Sequence, residues 1–279
     1  MKRYAVIGNP IAHSLSPHIH QLFSEQTQQP LVYEKIVAEP SSFNPIVHDF
    51  FAHGGHGLNI TAPFKFQAYQ LCVKTSQMAD VAQSVNVLSL LDDGTLYGDS
   101  TDGIGWLNDI YAQHWPLKDQ TLLLIGAGGA ARAILAACVQ EKIAARHIFI
   151  YNRTPQHAHA LRDQWAHALS IEVLEQLPTT SLTVDLVLQT VSRHADAWLE
   201  NIFTHISWQA CRYYDINYGS AVKNTCQQLH KQGVIATCDG LGMLVEQAAI
   251  AFYQWHHVNV DARAALLQLK RSYHDTSLE

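Results

Sequence analysis

Apolar and polar residues along the chain fall into short blocks that switch between two periods. Residues 4–8, 31–37 and 57–61 are apolar or alternate every second position, which predicts strands. Residues 15–26 and 43–53 repeat apolar side chains at three and four positions and predict helices. A longer strand is expected over 82–91, turned by Asp92-Asp93-Gly94 into a hairpin with Thr95-Leu96-Tyr97. A helix over 101–114, capped by Thr101 or Asp102, leads into a regular alternation. Strands are expected at 121–126, 147–152, 183–189 and 211–216, with helices at 129–140, 155–168 and 220–231 between and after them. A helix over 240–255 and a last one from Asp261 close the chain. The second half therefore predicts a doubly wound parallel sheet, and the βαβαβ opening predicts an α/β domain of its own. The expected division is 1–101 plus 240–279 as one domain and 102–239 as the other, with a cleft between them.

Length and charge support this picture and narrow the function classes. The 279 residues suit two domains, and 48% hydrophobic content is ample for two cores. A net charge of −6 without a basic run argues against a nucleic-acid partner. The apolar part of the N-terminus is too short for a signal peptide, and Arg132 interrupts the longest apolar run, so a soluble, cytoplasmic protein is expected. Five scattered cysteines without a Cys-x-x-Cys pair fit reduced thiols. Seventeen histidines show no chelating pair backed by a carboxylate, and no metal is expected. A monomer and a homodimer fit equally well.

The chemistry begins at Thr121-Leu-Leu-Leu-Ile-Gly126-Ala127-Gly128-Gly129-Ala130-Ala131-Arg132. A buried strand that breaks into glycines and opens a helix forms an anion site, because N–H groups and the positive end of the helix dipole face the turn. The spacing is a variant of the dinucleotide fingerprint, with Ala131 where a third glycine often stands. One strand later comes Asn152-Arg153-Thr154, at the edge where a ribose 2′ position is read. No acid stands there to accept from a 2′-hydroxyl. An amide, a guanidinium and a hydroxyl suit a 2′-phosphate, so residues 124–154 predict a Rossmann-like NADP(H) site. Ile216 and Gly240 complete the candidate cofactor set.

Three polar clusters mark the first domain: Gly8-Asn-Pro-Ile-Ala-His-Ser14-Leu-Ser16-Pro17, Asn59-Ile-Thr61-Ala-Pro-Phe-Lys65 and Gly98-Asp-Ser100-Thr-Asp102-Gly103. Paired serines before a proline-started helix offer hydroxyls and N–H groups to a carboxylate. These clusters, with Val85-Asn86, the glycine turn, Asn152-Arg153-Thr154, Tyr214-Asp215-x-x-Tyr218 and Asp239-Gly-Leu-Gly-Met-Leu-Val-x-Gln247-Ala, occur in the order found in one family. The chain resembles the NADP-dependent shikimate dehydrogenases over nearly its whole length.

The resemblance implies reversible NADPH-dependent reduction of 3-dehydroshikimate to shikimate, in the biosynthesis of aromatic amino acids. It implies that Ser14 and Ser16 bind the substrate carboxylate and that Thr61, Asn86, Tyr218 and Gln247 help fix substrate. Lys65 and Asp102 would be the catalytic pair: an ammonium near the reacting oxygen can donate the proton or stabilise an alkoxide, with a carboxylate to orient it. The chain departs from the family pattern at Phe66, Val87, Ser100, Gln189 and Lys223, none of them a proposed catalytic group. Ser100 and Gln189 would fall on the rim of the site. Two other functions remain open at this level, a dehydrogenase that also takes quinate with NAD or NADP and a non-catalytic NADP-binding sensor.

Overall fold

A computed structural model of the chain describes residues 1–191 and 196–275. The chain divides into two compact units, Met1–Asp109 with Gly242–Glu279, and Ile110–Leu241.

The first unit is built on a six-stranded sheet of β1 (Lys2–Gly8), β2 (Leu31–Val37), β3 (Gly55–Ile60), β4 (Lys74–Thr75), β5 (Val87–Leu90) and β6 (Leu96–Asp99), ordered β2-β1-β3-β5-β6-β4. Strands β2, β1 and β3 run parallel, whereas β5 joins β3 and β6 antiparallel. The centre of β1 is buried on both faces, as its unbroken apolar run requires. Ala5 and Ile7 share a core with Phe43 and Phe50 of α2 (Phe43–Ala52), with Phe64 just before α3 (Lys65–Leu71) and with Ala68 within it. Tyr4, on the opposite face, stacks on Trp255 of α10 (Leu241–His256). Each fully buried large side chain of this kind contributes about 1.5–3 kcal/mol.

The expected strand over 82–91 is corrected. Residues up to Ala82 belong to a short helix, α4 (Gln77–Ala82), and the strand is only β5. Ser76 caps α4 by accepting from Ala79 N at 3.0 Å, and Gln83 ends it in the left-handed region at φ 48°. Lys65, four residues past the end of the expected strand over 57–61, is the first residue of α3. The remaining helices of this unit are α1 (Ser16–Thr27), the start of α5 (Asp102–Ala112) and α11 (Ala262–Asp275).

The second unit carries a six-stranded, wholly parallel sheet ordered β12-β11-β10-β7-β8-β9. Its strands are β7 (Thr121–Ile125), β8 (His147–Tyr151), β9 (Ile171–Val173), β10 (Leu186–Gln189), β11 (Arg212–Asp215) and β12 (Ala236–Cys238). Counted from β7, this is the 3-2-1-4-5-6 order of a doubly wound dinucleotide fold, whose switch point lies between β7 and β10. Helices α6 (Gly129–Gln140) and α9 (Ser220–Lys231) run as the pattern predicts, while α7 (Pro155–Trp165) stops three residues early and α8 (Asp196–Phe203) was not foreseen. Among the described residues no helix is long and apolar enough to cross a membrane.

Candidate functional site

In the first unit, the starts of α3 and α5 bring Lys65 and Asp102 together. Lys65 Nζ donates to Asp102 Oδ2 at 2.7 Å, with the carboxylate side chain 8% exposed and the lysine 21%. A pair this far from water is held by its geometry, because removing one partner strands a charge at a cost of about 3–5 kcal/mol.

Asn86, in the loop before β5, organises the surroundings of Asp102. Its Nδ2 donates to Thr101 Oγ1 at 2.9 Å, to Gln247 Oε1 at 3.1 Å and to Asp102 Oδ1 at 3.3 Å. Its Oδ1 accepts from Thr101 N at 2.7 Å. Thr101, expected as a helix cap, donates its hydroxyl to Gln247 O at 3.2 Å. A bond of this kind contributes about 1 kcal/mol net, but a buried donor left empty costs more. Gln247 reaches the cluster because α10 lies against α5 at Gly105, where a Cβ would come within 2.8 Å of Gln247 N.

The paired serines lie at the start of α1. Ser14 Oγ donates to Ser16 Oγ at 3.2 Å and accepts from Ser16 N at 3.3 Å. Ser16 is buried, and it shares a hydrogen bond with Tyr33, whose hydroxyl donates to Asn59 Oδ1 at 2.5 Å. Asn59 Nδ2 in turn points at Asn86 O at 3.4 Å, so a continuous polar chain joins the serines to the Lys65–Asp102 pair. Tyr33 is half-buried, but its hydroxyl end sits among buried partners, and burial holds its pKa well above the ordinary tyrosine value. Nothing in the local pattern of β2 marks Tyr33 for this place. His20 lies under the same group, stacked on Tyr33 at 4.4 Å, and burial lowers its pKa to about 3. Thr61, two residues after Asn59, is half-buried, its N–H donating to Ile7 O at 2.9 Å.

Tyr218, expected near the substrate, belongs to the second unit, in the turn after β11. Ser100 and Gln189, expected on a rim, are 2% and 0% exposed. Phe66, at 54% exposed, and Lys223 are the departures that do face solvent.

In the second unit the glycine turn stands at the C-terminal end of β7. Gly126 has φ +112°, and its N–H donates to Tyr151 O at 2.9 Å. A Cβ there would meet Thr190 Oγ1 at 2.5 Å, so only glycine fits. Gly128 caps α6 and is exposed, and a Cβ placed on it would meet no atom within 4 Å. Open space therefore stands before the first-turn N–H groups of Gly129 and Ala130, which have no partner inside the helix. Buried Ala127 joins the two glycines. This cradle fits a pyrophosphate. Asn152 Nδ2 donates to Thr154 O at 2.8 Å, which shapes the edge on which Arg153 and Thr154 are exposed. Past the ends of β11 and β12, Ile216 N donates to Gln189 O at 3.0 Å and Gly240 N to Asn217 O at 2.8 Å.

Among the described residues none of the five cysteines forms a disulfide, and burial pushes the Cys138 and Cys211 thiols up to about 12. Among the described residues no group of three or more His, Cys, Asp or Glu is placed to hold a metal ion.

Comparison with known proteins addresses the same regions. Residues 6–88 match a model described as the shikimate dehydrogenase substrate binding domain, 110–236 one described as shikimate / quinate 5-dehydrogenase, and 240–266 a shikimate 5'-dehydrogenase C-terminal domain. The chain is 39% identical over 274 residues to the NADP(+) shikimate dehydrogenase of Pasteurella multocida, covering 96% of this chain and 99% of that one. Among solved structures it is similar to the Ael1 enzyme of Pseudomonas putida, with TM-score 0.81, 35% identity, and 96% and 98% of the two chains covered. It is also similar to the Thermus thermophilus shikimate 5-dehydrogenase in complex with NADP(H) and shikimate, with TM-score 0.78, 27% identity, and 97% and 99% covered. Matched along both units, and by a relative so alike end to end, the chain belongs to the shikimate dehydrogenase family.

Proposed function

We propose that this protein is an NADP-dependent shikimate dehydrogenase, an oxidoreductase that interconverts 3-dehydroshikimate and shikimate. The observation that carries the reading is the 2.7 Å contact of Lys65 with Asp102, set in the Asn86–Thr101–Gln247 network. The first unit is the substrate domain and the second the cofactor domain. Ser14 and Ser16 hold the substrate carboxylate, and Thr61, Asn86, Tyr218 and Gln247 hold its ring hydroxyls.

When bound, NADPH supplies the hydride. Lys65 gives or takes the proton at the substrate oxygen, and its ammonium also stabilises negative charge there. Asp102 keeps that ammonium aimed, and Asn86 keeps Asp102 aimed. Gly126, Ala127, Gly128, Gly129 and Ala130 would hold the pyrophosphate, and Asn152, Arg153 and Thr154 the 2′-phosphate, with Ile216 and Gly240 beside the nicotinamide half.

The test is oxidation of shikimate and of quinate, each with NADP and with NAD, followed at the nicotinamide absorbance. Turnover with shikimate and NADP far above the other pairings is the expected result. Preference for quinate or for NAD would overturn the substrate or cofactor assignment, and no turnover in any pairing would overturn the enzyme.

A further inference from the structure

The second unit contains a stacked aromatic pair that packing alone does not demand. Tyr151, the last residue of β8, lies flat against Trp198 of α8, with centroids 5.5 Å apart and ring planes within 9°. The other aromatic pairs in this cluster meet edge-on, Phe203 with Trp208 at 81°, Phe203 with Tyr213 at 85° and Trp208 with Tyr213 at 77°. Trp208 and Tyr213 are buried, whereas Tyr151 and Trp198 are half-exposed and border the core rather than fill it.

Their place in the fold gives this border a meaning. Tyr151 O accepts from Gly126 N at 2.9 Å, so the backbone that carries Tyr151 is bonded to the glycine turn. Val191, which packs on the same cluster, would lie 2.9 Å from a Cβ on Gly126. The next three residues after Tyr151 are Asn152, Arg153 and Thr154. Helix α8 follows β10, the strand across the switch point from β8 with β7 between them. In such sheets a dinucleotide lies outside the carboxyl ends of the strands at that point. With its phosphates on the glycine turn and its 2′-phosphate at Arg153, the base attached to that ribose has to settle beside Tyr151. A purine there meets a flat, apolar, half-exposed indole.

We infer that Trp198, held flat by Tyr151, is the stacking platform for the adenine ring of the cofactor. The inference rests on the NADP reading of the second unit and deepens it. Stacking fixes the base without reading its edge, so Trp198 strengthens NADP and NAD alike and leaves the choice between them to Arg153. Tyr151 acts as a positioning residue, setting the plane of the indole.

The test uses the full chain and adenosine 2′,5′-bisphosphate, a probe that carries the base and the 2′-phosphate but no nicotinamide. Calorimetry on Trp198→Leu, which keeps apolar cover for the core, should show affinity weaker by about 5- to 100-fold, the usual worth of one base stack. Trp198→Phe should recover most of it. Turnover with reduced nicotinamide mononucleotide, which has no adenine, should be unchanged in Trp198→Leu. Wild-type affinity of Trp198→Leu for the probe, or an equal loss with the mononucleotide, would overturn the platform. Arg153→Ala separates the two levels. If it weakens the probe while Trp198→Leu does not, the platform alone falls. If neither weakens it, the cofactor reading of this edge falls as well.

Discussion

The two halves of the candidate site are made of different material. Around Asp102 the chain uses side chains, with Lys65, Asn86, Thr101 and Gln247 drawn from separate elements and joined by hydrogen bonds of 2.7–3.3 Å. Around Gly126–Ala130 it uses backbone, with small residues left bare so that N–H groups can face an anion. A side-chain site is damaged by the loss of one functional group. A backbone site has no functional group to lose and is damaged by a single methyl.

The largest test of that contrast is Lys65→Ala. Turnover should fall about 10²–10⁴-fold, the range for lost acid–base help, with NADPH affinity unchanged. Near-normal turnover would remove Lys65 from the mechanism. On the cofactor side, Arg153→Ala should weaken NADPH about 10- to 100-fold, the worth of a charge-assisted bond to phosphate, and NADH hardly at all. Equal loss for both would refute the 2′-phosphate role.

Smaller and more diagnostic is the pair Gly128→Ala and Gly126→Ala. A methyl on Gly128 enters open space, so the melting temperature should hold while NADPH affinity falls about 10-fold. On Gly126 it strikes Thr190 and Val191 from a left-handed backbone, so stability and affinity should fall together. If both variants behave alike in thermal melts and cofactor titrations, the backbone reading fails.

The last test moves nothing at neutral pH. The folded state keeps His20 neutral down to about pH 3, whereas an unfolded histidine takes up its proton near 6.5. The unfolded state thus binds more protons below 6.5, and stability is lost as pH falls from there towards 3. The loss should reach on the order of 3 kcal/mol by pH 4. His20→Phe, which suits the ring stack with Tyr33, should shrink the drop in melting temperature between pH 7 and pH 4. An unchanged drop would mean that other groups set the acid limit.

Much of the second unit was legible because its signals are local. The glycine turn fixes the start of α6 and Gly219 stands before α9, and both helices run as the sequence pattern predicts. Strands β9 and β12 escaped notice because three residues, half-buried or exposed, leave no period to read. The 82–91 region misled because Val85, Val87, Leu88, Leu90 and Leu91 make an apolar run that reads as one long strand, while the Ser76 cap and the left-handed Gln83 keep its first residues in and just after α4. In the site, resemblance named the residues but not the bonds. Asn86 and Gln247 are 161 positions apart, and Tyr33 enters the network from a strand with no polar motif. Contacts of that range come from the packing of α5, α10 and the sheet, which no window of sequence contains.

The first unit is discontinuous, and that orders events during synthesis. All of Ile110–Leu241 leaves the ribosome before Gly242, so the second sheet can close while the first unit still lacks α10 and α11. At the usual pace of translation that interval lasts roughly ten to twenty seconds. Throughout it Asn86 waits for Gln247, and the buried carboxylate of Asp109 waits for Arg263, its 2.9 Å partner on α11. The nascent chain therefore completes its nucleotide-fold half first and becomes competent for chemistry only with its final helices.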